Sequence, residues 1–156
     1  MPVDLSDLLA PELVAVGLPA ASKKTLFTQI GALAAPALGV GARAVAETLM
    51  TREREGSTGF GGGVALPHSR VEGLHRIVLV VARLSHPLDY GAVDDVAVDV
   101  VAAMFSPPDA GAAHLKALAR VARRFRDRGL LAKLRGAGSP DAIYALLAAD
   151  ESRDAA

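Results

Sequence analysis

Two runs, "RIVLVVARL" at 76–84 and "AVDVVAAMF" at 97–105, constrain the fold more than anything else in this 156-residue chain. Each is nearly continuous in β-branched and other apolar residues rather than alternating, the pattern of a strand buried on both faces. A sheet of such strands needs cover on both sides, and the flanking segments offer it. Upstream, "SKKTLFTQIGALAA" carries Leu26, Ile30, Leu33 and Ala34 at helical spacing, with Ser22 as its cap and Pro36 as its expected stop. A second helix is expected over 41–53 through Val45, Leu49 and Met50, closed by the charged run "REREG" at Gly56. Downstream of Pro107-Pro108, "HLKALARVARRFRDR" places Leu115, Leu118, Val121, Ala122 and Phe125 on one stripe. Lys116, Arg120, Arg123 and Arg124 fall off that stripe. Two short helices are expected at 129–135 and 139–149, the second opened by Ser139-Pro140-Asp141.

The remaining pieces are smaller. Residues 4–9 read as a short helix, 12–17 as a strand, and "SHPLDYGAVDD" as a connection or edge hairpin between the two long runs. No repeat or linker divides the chain, and its length suffices to bury roughly two-thirds of the unfolded surface. The expectation is an α/β sandwich, one domain over residues 1–150 with a frayed tail at 151–156.

Composition narrows the function by exclusion. Seventeen basic residues balance seventeen acidic ones, and aromatics make up 4% with no tryptophan. Neither a phosphate-backbone binder nor a base-stacking surface is expected, so nucleic acid is not a partner. The absence of cysteine removes disulfides, thiolate catalysis and cysteine zinc sites. The first twenty residues hold Asp4, Asp7 and Glu12 and no basic residue, unlike a signal peptide. The uncharged "QIGALAAPALGVGA" is too short and too broken by Pro and Gly to span a bilayer. A cytoplasmic protein without membrane insertion is expected.

One stretch stands apart from the fold pattern. "GSTGFGGGVALPHSR", residues 56–70, places five glycines and one proline ahead of a single histidine, His68. Glycines permit positive φ and close backbone approach, whereas proline stiffens the step into His68. The stretch is not a nucleotide loop: no Gly-Lys pair exists for a Walker motif, and Val64 stands where a dinucleotide motif needs glycine. No G-x-S-x-G nucleophile elbow occurs. His68, His75, His86 and His114 show neither H-E-x-x-H nor a helical i, i+4 pair, so no metal site and no cofactor are expected.

His68 is left with two readings. A neutral imidazole can accept a phosphoryl group with no separate base, given backbone N–H groups, a cation such as Arg52 or Arg70, and a hydrogen bond on its other nitrogen. Otherwise it is a loop histidine without a role. His114, one turn before Leu118 on its helix, reads by itself as a packing histidine, and His75 and His86 have no supporting context.

The string "TREREGSTGFGGGVALPHSR", followed by "HLKALARVARRFRD", resembles the fructose/mannitol-type enzyme IIA domain of the bacterial sugar phosphotransferase system, closest to its nitrogen-regulatory branch. The likeness runs from the "SKKTLFTQIGALAA" helix to "SPDAIYALLA". It implies a mixed β-sheet flanked by helices on both faces. It also implies that His68 takes a phosphoryl group at Nε2 from HPr or the nitrogen-branch counterpart, a group that starts on phosphoenolpyruvate and passes through enzyme I. By the same resemblance His114 steadies the phosphoryl oxygens, Arg52 lies near the site, and Ser57 and Thr58 are a hydroxyl pair beside it. Gly63 and Arg70 join them in phosphoryl or partner binding. The recipient is then either a separate fructose/mannitol-type enzyme IIB or a regulatory target protein that senses the phosphoryl group; the remaining alternative is a protein-binding module that keeps the fold without being phosphorylated. Ser69 and Arg70 depart from the branch's usual glycine and lysine, a difference that bears on partner choice.

Overall fold

A computed structural model describes residues 5–149. A 3-10 turn (Pro11–Leu13) leads into strand β1 (Val14–Leu18), followed by helices α1 (Lys23–Leu38) and α2 (Ala42–Glu53). Three short strands come next, β2 (Gly59–Gly61), β3 (Val64–Ala65) and β4 (His68–Arg70). The long strands β5 (Val78–Leu88) and β6 (Val98–Ser106) precede helices α3 (Ala112–Phe125), α4 (Arg128–Gly136) and α5 (Pro140–Ala148). The expected tail at 151–156 lies outside the described residues.

The two apolar runs form the centre of one mixed sheet, ordered β1-β5-β6-β3-β2, with β4 also on β6. β5 and β6 are antiparallel, while β1 lies parallel to β5, and β3 and β4 lie parallel to β6. Successive side chains of a strand point to opposite faces, and here both faces are apolar. Val78 and Val80, with Val101, Ala103 and Phe105, pack under α1 and α2 against Leu26, Phe27, Ile30, Val45 and Leu49. Leu79 and Val81, with Val100, Ala102 and Met104, pack under α3 to α5 against Val121, Phe125, Leu130 and Ile143. Each fully buried side chain of this size stabilises the fold by roughly 1.5–3 kcal/mol. The sandwich of helices around a sheet is the architecture that the uninterrupted apolar runs require.

The local signals and the structure differ in a few places, each for a physical reason. Ser22 caps α1 as expected, its hydroxyl accepting the Thr25 N–H at 3.1 Å. Pro36, however, does not stop the helix; it sits inside the last turn, and α1 ends at Gly39 in the left-handed region (φ 68°). A proline so near the end costs only one backbone hydrogen bond, and Gly39 supplies the terminating geometry. The helix expected over 4–9 is instead a turn across the described part, with the Leu8 N–H donating to the Leu5 carbonyl at 2.9 Å. β5 runs on through Ser85–Leu88, so part of the expected connection is strand.

On α3 the apolar stripe is rotated from its expected position. Leu115 is 66% exposed, while His114, Ala117, Val121, Arg124 and Phe125 face inward. Arg124 is buried because its Nη2 donates to the Leu146 and Ala149 carbonyls, at 2.9 and 3.3 Å, at the end of α5. Those terminal carbonyls lack helical partners, and a guanidinium meets the negative end of the helix dipole.

Candidate functional site

The glycine-rich stretch is the edge of the sheet. Val64 and Ala65 pair with Val100 and Val101, and His68, Ser69 and Arg70 pair with Met104, Phe105 and Ser106. The sequence offset is the same in both ladders, so β3 and β4 are one strand line interrupted by Leu66-Pro67. Proline has no N–H for the ladder, yet the Pro67 carbonyl still accepts from Met104 N–H at 2.9 Å. The interruption turns the Leu66 carbonyl toward His68, whose Nδ1 lies 2.9 Å from it. A carbonyl only accepts, so Nδ1 carries the proton and Nε2 keeps its lone pair.

His68 is half-buried, and the ring of His114 stands beside it, with ring centroids 5.8 Å apart and planes inclined at 55°. His114 is buried on the first turn of α3, and its Nδ1 lies 2.7 Å from Ser106 Oγ. Both rings border an open depression of about 740 Å³ lined also by Thr48, Thr51, Arg52, Glu55, Ser69 and Arg70. A larger groove of about 920 Å³ follows the seam of α1 and α2 and holds neither histidine.

Both histidines are shifted toward the neutral form. Burial pushes His68 below the ordinary imidazole value, and the Arg52 charge adds to this, against the opposing Leu66 bond and Glu53 charge. Burial likewise lowers His114, helped by the Arg70 charge and by repulsion from the His68 ring when that ring is protonated. Arg52 is half-buried at the last turn of α2, and its Nη1 donates to the Gly56 carbonyl at 3.0 Å. Arg70 is exposed and ties β4 to the loop before α3 through the Pro108 carbonyl, 3.2 Å away.

Ser69 anchors the strand from the other face. Thr48 Oγ1 donates its single hydrogen to the Val45 carbonyl at 2.7 Å, so the Ser69 hydroxyl, 2.8 Å from Thr48 Oγ1, is the donor between them. β4 is thereby fastened to α2.

His68, His114, Arg52 and Arg70 therefore share one depression, while the other expected site residues lie apart from it. Ser57 is exposed, and its Oγ accepts from Gly59 N–H at 3.2 Å. Thr58 is buried, with its hydroxyl turned inward to Glu53 at 2.5 Å and the Tyr90 hydroxyl at 2.8 Å. Gly63, with φ of 81°, sits in the β2–β3 turn against Asp99 and Arg135. These three do not line the depression: Thr58 is drawn inward by a buried carboxylate, and Gly63 serves the strand reversal at the sheet edge. His75 and His86 are exposed and belong to neither cluster.

The buried carboxylate went unrecognised in the sequence. Glu53, whose side chain is 3% exposed, receives Lys23 Nζ at 2.9 Å, Thr58 N–H at 3.0 Å and the Tyr90 hydroxyl at 3.1 Å besides the Thr58 hydroxyl. Burial alone would raise its carboxyl, but the Thr58 and Lys23 interactions outweigh it and hold the group below the ordinary carboxylate value. Lys23 Nζ also lies 4.2 Å from the Tyr90 ring centre. A signal was present: Val45, Leu49 and Glu53 follow one another at i+4 steps, so Glu53 falls on the buried face of α2.

Known proteins share the sequence pattern and the fold. The family model described as "Phosphoenolpyruvate-dependent sugar phosphotransferase system, EIIA 2" matches residues 7–150. A nitrogen regulatory protein of Bradyrhizobium diazoefficiens is 43% identical over 144 residues, covering 92% of this chain and 94% of that one. The crystal structure of nitrogen regulatory protein IIA-Ntr from Neisseria meningitidis superposes with a TM-score of 0.86 at 29% identity, over 92% of this chain and 98% of that one. The fold is shared with the mannitol IIA of Escherichia coli, TM-score 0.74 at 21% identity, over 89% and 98% of the two chains. This chain belongs to the EIIA 2 family of the phosphoenolpyruvate-dependent sugar phosphotransferase system and stands with its nitrogen regulatory members.

Proposed function

We propose that this protein carries a phosphoryl group on Nε2 of His68, receives it from an HPr-type phosphohistidine carrier, and acts as a regulator whose docking surface changes with that group. The observation that carries the proposal is the Nδ1–Leu66 hydrogen bond, which leaves Nε2 bare beside a second imidazole and two guanidiniums.

In the transfer, the lone pair of Nε2 forms a bond to phosphorus as the donor's nitrogen–phosphorus bond breaks, and that electron pair returns to the donor ring. His68 keeps its Nδ1 proton on the Leu66 carbonyl, so positive charge building on the ring meets a carbonyl dipole. The developing phosphoryl charge faces His114, Arg52 and Arg70. In the tautomer whose Nδ1 accepts from the Ser106 hydroxyl, the His114 ring presents Nε2–H as a donor. Each charge-assisted contact of this kind contributes on the order of 1.5–3 kcal/mol. No metal is required in this chemistry, because neutral imidazole is itself the nucleophile.

The test is reaction of the purified protein with phosphoenolpyruvate, enzyme I and the carrier, read as intact mass at mildly alkaline pH. The expected gain is one phosphoryl group, lost completely in His68→Ala. In His114→Ala the rate falls roughly 10²–10³-fold, the usual effect of removing one donor from a charge-stabilising site. No gain from a carrier that phosphorylates a control IIA domain refutes the proposal. Rapid onward transfer to an added enzyme IIB would assign a transport role in place of the regulatory one.

A further inference from the structure

We propose that Glu53 is a positioning residue for His68: its carboxylate pins Thr58, Thr58 pins Leu66, and Leu66 fixes the Nδ1–H tautomer and aim of the histidine ring. The inference rests on His68 as the reacting group and adds a buried residue of α2 that never touches the phosphoryl.

The chain of contacts is continuous. Glu53 Oε2 accepts the Thr58 N–H at 3.0 Å, and Oε1 accepts the Thr58 hydroxyl at 2.5 Å. The Thr58 carbonyl accepts Leu66 N–H at 2.9 Å. The Leu66 carbonyl accepts Nδ1–H of His68 at 2.9 Å. The far end of the chain is held by rigid elements, since Lys23 of α1 and the Tyr90 hydroxyl bind the same carboxylate at 2.9 and 3.1 Å.

The surroundings of Thr58 explain why the carboxylate matters. Residues 54–57 are exposed, and their own hydrogen bonds are local, within the turn that closes α2. The Glu53 and Tyr90 contacts of Thr58 are the buried ones that fasten this loop to the core. If Thr58 shifts, Leu66 loses a fixed partner on one side of the proline interruption, where the strand ladder is already broken. The Leu66 carbonyl then ceases to select which ring nitrogen holds the proton, and a neutral imidazole protonated at Nε2 has no lone pair there to accept a phosphoryl group.

Glu53→Gln tests this with little change of shape, because it removes the charge that holds Lys23 and puts N–H donors where the carboxylate only accepts. In protein carrying ¹⁵N-labelled histidine, wild-type His68 gives well-separated Nδ1 and Nε2 shifts at neutral pH, as a single tautomer requires. In Glu53→Gln the two shifts converge, exchange of the Leu66 amide quickens, and kcat for transfer falls about 10–100-fold, the scale known for metal-bound histidines that lose an orienting outer partner. KM for the carrier stays unchanged. Leu134→Ala, in the core under α4 and outside the Glu53–Thr58–Leu66–His68 hydrogen bonds, serves as the matched variant; at a comparable loss of stability it keeps separated shifts and wild-type kcat.

Wild-type shifts and kcat in folded Glu53→Gln overturn the proposal, as does equal convergence in Leu134→Ala. Should Glu53→Gln fail to fold, Thr58→Val removes the hydroxyl contacts to Glu53 and Tyr90 and keeps the Thr58 N–H bond, and the expected result is partial convergence; full separation there overturns it. The nitrogen shifts report positioning whether or not wild type takes a phosphoryl group. Failure of the acceptor assignment is therefore read from the wild-type reaction, and failure of the Glu53 assignment from the variant's nitrogens.

Discussion

His68 has neighbours of opposite sign that are consecutive in sequence, Arg52 facing the depression and Glu53 facing the core. Burial sets the direction, and the imidazole titrates below its ordinary value of 6.5. An NMR titration of the His68 ring protons should give a midpoint under 6.5, and Arg52→Met should raise it by removing a repelling charge. A wild-type midpoint at or above 6.5 contradicts the environment described. The sign carries over to stability. The unfolded chain binds a proton at His68 before the folded one does, so this contribution is intact above 6.5 and is lost as pH falls through the lower folded value. His68 itself was legible in the sequence, because the PH dipeptide behind a glycine run is a local pattern. Glu53 was masked by its setting in "REREG", where Arg52, Arg54 and Glu55 around it look like a solvated helix end. Only its spacing from Val45 and Leu49 marks it as buried.

Helices α1 and α2 meet at Gly31, where a Cβ would lie 2.4 Å from the Ala42 carbonyl oxygen. Gly31→Ala must push α2 away from α1, and overpacking of this kind costs about 1–3 kcal/mol. Urea unfolding should show a lowered midpoint with an unchanged slope; an unaltered midpoint would mean that the seam is loose. The helices themselves were legible, since Ser22 and Ser139 cap α1 and α5 at their expected starts. Strands β2 to β4 were not. At three, two and three residues they are shorter than any period that could announce them, and their glycines read as loop. What makes them strands is the long edge of β6, a tertiary partner that local pattern does not contain. The rotation of α3 has a similar origin: Arg124 goes inside because the end of α5 is there to receive it.

The whole chain carries no formal net charge and has an isoelectric point near 6.9. One phosphoryl group adds close to two negative charges near neutral pH, so the phosphorylated protein should elute later from an anion exchanger, and His68→Ala should show no such form after reaction. Co-elution of reacted and unreacted protein would show that the charge is not retained. Among the described residues no helix is long and apolar enough to cross a membrane. The site occupies a particular place in this molecule. β4 pairs with β6 on one side, α2 supplies Thr48 and Arg52 from one helical layer, and α3 supplies His114 from the other. The depression thus wraps around the rim of the sheet and opens onto both layers at once. A protein seated there grips the sandwich across its thickness, as a clip holds stacked sheets. Any partner large enough to cover His68 therefore rests on both layers, and a shift of one layer against the other changes the surface it meets.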